Sequence, residues 1–478
     1  MKKALTNFRE KYIGDRKFYR LLWALVLPIV VQQGITNFVS LLDNLMVGDL
    51  GTIQMSAVSI VNQLFFVFNL AVFGGLSGAS IFGTQFFGRG DWIGMRDTFR
   101  FKMIFAILVS AIAVGVFVCF DDELLMIFLR SDENTPEQIA ATLTEAKRYI
   151  KIALVGLLPF AVVQAYAGTL RETSETVTPM VGGIIAIFVN LVFNYLLIFG
   201  KLGFPKMGVA GAALATVMSR FVEMAYVVIA THAKSYKYKF IEGVYRKFSI
   251  PGTLVKKIIA TGAPLMVNEV LWSLGQTFIN SNYAKRGIVV VAATNITATA
   301  WNLFCVIMFG MGSAVIIMVG QKLGEGDRDG AIDIDNKLLF TSTAAHTAIA
   351  VIIIALAPFI PLMYNVEPEV RSLATQCLTV AGLSLPIHAI THIIYFTVRS
   401  GGKTLITFLL DSGFTWVVPC VMSFILCRYT GIKVIWVYAA VQFSDVIKLF
   451  IGIPLFKSGF WARCVINGVG GAANEADV

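Results

Sequence analysis

The chain has 478 residues, 57% of them hydrophobic and only 14% charged, with a mean hydropathy of +0.75 and a formal net charge of +10. A soluble domain carries roughly 25% charged residues, so a chain this apolar cannot cover itself with polar surface, and lipid is its natural solvent. The positive charge does not point to nucleic acid, because the basic residues sit between apolar runs, where their role is topological; the six scattered cysteines form neither a disulfide framework nor a metal motif.

In chain order, residues 1–20 hold seven Lys and Arg and no apolar core, which is not the pattern of a secretory signal. No small-residue cleavage site follows the first apolar run, so that run is expected to remain as the first helix. Leu21 to Leu42, Ile53 to Gly88 and Leu338 to Val366 contain no charged residue. Each reaches the ~20 residues that cross a bilayer as a helix, and helix is the expected state because the backbone finds no water in lipid. The strands of a membrane barrel would instead read as ~10-residue alternating segments. The pattern predicts helices at 20–47, 53–86, 98–120, 147–169, 179–199 and 208–231, then at 258–284, 288–319, 338–364, 373–397, 405–427 and 434–455. The expected fold class is an all-α membrane protein of twelve transmembrane helices in two six-helix bundles.

With the N-terminus placed in the cytoplasm, the loops and tails on that side hold 26 Lys and Arg and the opposite side 11, with Arg220 and Lys448 inside helices. This is a positive-inside pattern with both termini cytoplasmic. The loop at 232–257 is the longest and carries Lys234, Lys237, Lys239, Arg246, Lys247, Lys256 and Lys257. It separates an N-lobe, 1–231, from a C-lobe, 258–478. The two are repeats: shifted by 236 residues, 28–91 lies over 264–327 without a gap. Pro28 falls on Pro264, Asn44 on Asn280 and Phe73-Gly74 on Phe309-Gly310, and Gln85-x-x-Gly88-x-Gly90-Asp91 repeats as Gln321-x-x-Gly324-x-Gly326-Asp327. A weaker echo pairs Arg171 and Thr176 with Arg399 and Thr404. Six helices per half make the repeat parallel, the arrangement of transporters that hold substrate between or within two halves and rock one against the other.

Glu269 is the sharpest candidate. It is the only charge between Ile258 and Ala284, roughly 18 Å along its helix at 1.5 Å per residue. An ionised group at that depth costs at least ~2.5–3.5 kcal/mol, so it should face a cavity or carry a proton; the competing reading is a neutral Glu joining two helices. Its repeat mate is Gln33, and Gln276 and Asn280 follow on much the same face. Asp43, in LLDNLMVGDLG, is either a site carboxylate or the mark of the outer end of its helix. Asn190 and Asn194 share a face of the fifth helix, and Thr216 lies in GAALAT of the sixth; buried amides of this kind often only bridge helices. Asp411 is a second titrating group or an interfacial Asp. The pairs Arg220/Glu223 and Asp445/Lys448 are expected to neutralise themselves, and His388 and His392, at metal-ligand spacing, lack a third ligand.

Several motifs fail. GGKT at 401–404 has Thr397 where a phosphate loop needs its first Gly, and no strand precedes it. The glycine loops at 88–94 and 324–330 follow membrane helices and read as tight cytoplasmic turns rather than dinucleotide fingerprints. No membrane-enzyme motif or ATPase domain appears, so the chain is not expected to be an enzyme, and an ion gradient is the expected source of energy.

LPIVVQQ opening the first helix, LLDNLMVGDLG closing it, QFFGRGD after the second, VAGAALATVMSR in the sixth, PLMVNEVLWSLGQ in the seventh and VGQKLGEGD after the eighth together resemble the multidrug and toxic compound extrusion (MATE) family over about 15–460. The resemblance implies export of cationic, amphipathic drugs or metabolites in exchange for Na⁺ or H⁺ across the inner (plasma) membrane by a monomer, with no other cofactor. It implies an N-lobe site of Asp43, Asn190, Asn194 and Thr216 and an ion-linked Glu269 in the C-lobe. Gln33, Gln276, Asn280 and Asp411 are the expected substrate contacts. The chain departs from the family twice: Asn194 stands where many members have a second Asp, and 373–397 contains no carboxylate. The identity and stoichiometry of the coupling ion therefore stay open. Carboxylates among Phe and Met side chains would draw in organic cations partly by cation–π contact. The alternative is a lipid-linked oligosaccharide flippase of the same superfamily, which should show a cationic cavity; Glu269 speaks against it.

Overall fold

The computed structural model describes residues 9–129, 135–246 and 249–469; Lys247 of the linker loop and the outermost ends of both expected lobes lie outside them. Among the described residues there is no strand, and twelve helices are long and apolar enough to cross a membrane. They are α1 (Arg16–Gly48), α2 (Thr52–Arg89), α3 (Trp92–Cys119), α4 (Pro136–Glu172), α5 (Val177–Phe199), α6 (Val209–Ala233), α7 (Gly252–Ala284), α8 (Val306–Glu325), α9 (Arg328–Leu356), α10 (Pro368–Ser400), α11 (Thr404–Tyr429) and α12 (Val434–Lys457).

Several helices begin or end outside the apolar run that announced them. α4 starts at Pro136, well before the expected residue 147, because Thr135 and Gln138 form a capping box: Gln138 N–H donates to Thr135 Oγ1 at 3.3 Å and Thr135 N–H to Gln138 Oε1 at 3.1 Å. The eighth expected helix is two, with Ile288–Phe304 and α8 meeting at Cys305. α10 runs to Ser400, three residues beyond the expected end, and takes Arg399 into the bundle at 1% exposure. α11 contains two π-helical turns, Leu409–Gly413 and Trp416–Cys420. Pro419 has no N–H to give within the second of these turns, and the Thr415 hydroxyl adds a bond to the Asp411 carbonyl at 2.8 Å.

The repeated Gln-x-x-Gly-x-Gly-Asp has a separate reason at each position. Asp91 and Asp327 cap the next helix, accepting from the N–H of Gly94 at 2.8 Å and of Gly330 at 2.9 Å. Gly90 and Gly326 take left-handed φ of 77° and 81° to end the preceding helix. Gly88 and Gly324 serve a close crossing: a Cβ on Gly88 would lie 2.0 Å from the Gln321 carbonyl oxygen, and one on Gly324 2.0 Å from that of Gln85. Gln85 is fully buried and binds Ser400 O at 3.2 Å and the Val465 N–H at 2.7 Å.

The described chain packs as two compact units. One takes in the residues up to Val30, Thr84–Gly90 and Ala260–Val469; the other takes in Val31–Gly83 and Asp91–Ile259. Packing thus cuts α1, α2 and α7, whereas the repeat boundary lies in the 232–257 loop. The cause is apolar: Phe18, Leu22, Leu25 and Val26 at the start of α1 bury with Met311, Ala314, Val315 and Met318 of α8. The core of the other unit runs through Val61, Leu64, Phe68 and Val72 of α2, Ala106 of α3, Ile150 and Ala153 of α4 and Ala212 of α6.

Candidate functional site

In the first unit, named for its larger share of the first repeat, Asp43 stands half-buried on α1 opposite α5. Asn190 and Asn194, one turn apart, present both amides to it. Asn194 Nδ2 donates to Asp43 Oδ1 at 2.7 Å. The Asn190 amide lies between the Asp43 carboxylate and Thr216 Oγ1 of α6, 3.3 Å away, and is satisfied with its nitrogen towards Asp43, donating to the carboxylate at 2.9 and 3.1 Å. The four residues expected in the N-lobe site are therefore in mutual contact. Asn194 Oδ1, buried, has no partner among the described residues. Tyr149 of α4, buried, lies against Thr216; no motif marked it. Next to this cluster in sequence, Met46, Asp49, Leu191, Tyr195 and Phe199 line a mostly apolar cavity of about 530 Å³. A larger cavity, about 780 Å³, lies between the start of α3 and the 242–251 loop among Arg96, Arg100 and Arg246. It contains none of the candidate residues, and Arg100 is held there by Asp97 at 2.8 Å.

In the second unit Glu269 faces α10, where Arg399 Nη1 lies 3.9 Å from its Oε1. Arg399 also donates to Tyr395 OH at 3.2 Å, and its guanidinium lies 5.3 Å from the Phe396 ring. Beside Glu269, Asn268 is 1% exposed and fully engaged: it donates to Asp411 Oδ2 at 2.9 Å and Tyr395 OH at 3.4 Å, and accepts from the Ser412 hydroxyl at 2.7 Å and N–H at 3.2 Å. Asp411 continues to Lys448 of α12 at 4.0 Å, and Lys448 to Asp445 at 3.2 Å. Asp445 also accepts from His388 Nδ1 at 3.0 Å. So Asp445/Lys448, expected to neutralise itself, belongs to a longer chain of charges. His388 and His392 do not converge on a metal: His388 takes Asp445, His392 packs on Phe309 and Phe396, and no group of three ligating residues occurs among the described residues.

Gln33 and Asn280 are exposed and Gln276 half-exposed; none joins these clusters. In the first repeat it is Gln32, one residue before Gln33, that accepts from Arg171 at 3.3 Å. The repeat shift carries Gln32 onto Asn268, so each repeat sends an arginine from its fourth helix to the middle of its first. The echo of Arg171 and Arg399 is visible in the sequence, but both lie past the ends of the expected helices, whereas the structure carries both inside helices.

Beyond the geometry, the family model described as MatE matches residues 28–196 and 264–425. The chain is 24% identical over 444 residues to the probable multidrug resistance protein NorM of Thermotoga maritima, covering 92% of each chain. It is 24% identical over 364 residues to the multidrug resistance protein MdtK of Pectobacterium atrosepticum, covering 76% of this chain and 78% of the relative. Among solved structures it is similar to an outward-facing multidrug resistance MATE family transporter of the MOP superfamily (TM-score 0.82, 18% identity, 93% of this chain and 97% of the other). It is also similar to a MOP superfamily transporter from Pyrococcus furiosus described as having a binding pocket of reverse polarity (TM-score 0.80, 17% identity, 94% and 97%). At these identities the structures speak for the fold.

Proposed function

This chain belongs to the MatE family of membrane transporters, and from that premise we propose that it is a secondary active exporter of organic cations. It exchanges a drug or amphipathic metabolite for H⁺ or Na⁺ by alternating access, with Asp43 and Glu269 as the ion-linked carboxylates. Family membership sets it among transport proteins rather than membrane-embedded enzymes, and the relatives named for multidrug resistance support the substrate class.

The Asp43 cluster carries the reading. A carboxylate facing two amides has two self-consistent states. Ionised, Asp43 accepts from Asn194 at 2.7 Å and from the Asn190 nitrogen at 2.9 Å. Protonated, it would donate to the Asn190 carbonyl, with that amide turned so that its nitrogen faces Thr216. One proton thus changes the hydrogen bonds of three helices, and a cation drawn to the carboxylate competes with that proton. In the second unit Glu269, loosely paired with Arg399, offers a further carboxylate at mid-span.

The flippase reading gains one observation, since Arg399 is buried and Lys448 partly so, and both are cations of the kind it needs. Each lies beside a carboxylate, Arg399 at 3.9 Å from Glu269 and Lys448 at 3.2 Å from Asp445, whose negative charge opposes a pyrophosphate there. Accumulation of ethidium in an efflux-deficient bacterial host separates the readings. Wild type is expected to lower accumulation, Asp43→Asn and Glu269→Gln to restore it, and the Na⁺ or pH dependence to name the coupling ion. A folded, inserted wild type that leaves accumulation unchanged would count against cation export and favour the lipid-linked substrate.

A further inference from the structure

Lys448 sits where a cationic ligand would sit. Its ammonium lies 3.2 Å from Asp445 and 4.0 Å from Asp411, and 5.0 Å from the centroid of the Phe414 ring. Two carboxylates and an aromatic face are the groups that recognise ammonium ligands. The spacing of Asp445 and Lys448 on α12 explains only one of these contacts. Asp411 and Phe414 come from α11, Asp411 from inside a π-helical turn and Phe414 directly after it, and such turns frequently mark functional sites. Both carboxylates are also held from elsewhere, Asp411 by Asn268 at 2.9 Å and Asp445 by His388 at 3.0 Å. The cage is therefore built independently of the lysine within it.

We infer that Lys448 is a tethered occupant of a cation site formed by Asp411, Asp445 and Phe414, and that a monovalent organic cation reaches this site by displacing its ammonium. The inference rests on the reading of the chain as a cation exporter and gives that reading a mechanism in the second unit. Two buried carboxylates without a counter-charge would be strongly unfavourable. A lysine on a flexible four-carbon stem supplies that charge when no ligand is present and withdraws when one arrives. Exchange of one monocation for another leaves the charge between the two carboxylates unchanged. Arg399, with its planar head on Tyr395 and Phe396, is too constrained for such a swing.

Lys448→Met keeps the length and removes the charge. Binding of tetraphenylphosphonium to the purified full chain is measured by equilibrium dialysis. Removal of the tethered competitor is expected to tighten binding about tenfold, Lys448→Arg to stay near wild type, and Asp411→Asn in the Lys448→Met background to cancel the gain. Equal or weaker binding by Lys448→Met, or a gain that survives loss of Asp411, overturns the proposal. If Lys448→Met does not fold, amine-reactive labelling of Lys448 in the wild type, read by mass spectrometry, takes its place. Labelling should rise several-fold with tetraphenylphosphonium, and unchanged labelling overturns the proposal. Neither readout requires transport, so a wild type inactive towards ethidium sinks the efflux reading without deciding this one.

Discussion

Asn268 bears more of the second unit than its neighbour Glu269, although Glu269 is what the sequence announces. Its amide is bonded on both sides to α11 and α10 at 1% exposure. Asn268→Ala should leave Asp411 and Ser412 without partners and destabilise the protein by about 2–3 kcal/mol. The unfolding midpoint in detergent measures this, and a change within a few tenths of a kcal/mol would mean that water replaces the amide. A charge alone in an apolar run is conspicuous, whereas a buried amide is not. Arg399 was hidden for another reason: its apolar run ends at Val398, so the residue reads as the first of a loop although the helix carries it inward. Asp43, Asn190, Asn194 and Thr216 were gathered by family likeness; spacing alone joined only the two asparagines, since contacts across three helices leave no mark in local periodicity.

At the scale of elements, the repeated motif after α2 and α8 was legible as a turn, but its tightest constraint was not, because helix crossings are long-range. Gly324→Val would drive a side chain into the Gln85 carbonyl, a Cβ position 2.0 Å from that oxygen, and should cost about 3 kcal/mol or more. Gly115→Val on α3, where nothing lies within 4 Å of a Cβ, is the matched control; equal losses from both would refute the crossing as the cause. Asp327→Ala removes the cap of α9 and should cost about 1 kcal/mol. Helix ends were the least legible feature: apolar length reports the hydrocarbon, and α4 and α9 continue well beyond it on polar residues.

At the scale of the whole molecule, twelve spans and the duplication were plain, because bilayer thickness imposes run length and a fixed shift aligns the halves. How the loops are secured was not. Glu175, between α4 and α5, anchors the long basic loop: it accepts from Lys237 at 2.6 Å, Tyr238 at 2.9 Å and the Thr178 N–H at 3.2 Å. Burial pushes its carboxyl up, but the Lys237 ammonium and the Tyr238 and Thr178 donors outweigh that and hold it below the usual glutamate range. The folded state thus binds its proton more weakly than the unfolded one, so the stabilisation is complete above the ordinary value of about 4.3 and fades as pH falls through the depressed one. The stability gap between wild type and Glu175→Gln should be present at neutral pH, under about 1 kcal/mol for so exposed a partner lysine, and should close in acid. A gap that widens in acid would reverse the sign of the argument.

The central claim is that Asp43 and Glu269 couple the movement of an ion to that of an organic cation. Reconstituted in liposomes, the wild type should drive ethidium against its own gradient when a counter-directed gradient of H⁺ or of Na⁺ is imposed. Asp43→Asn and Glu269→Gln should each lose that coupling while remaining folded. Uphill ethidium movement that is indifferent to both gradients, or that persists undiminished in both variants, would contradict the account.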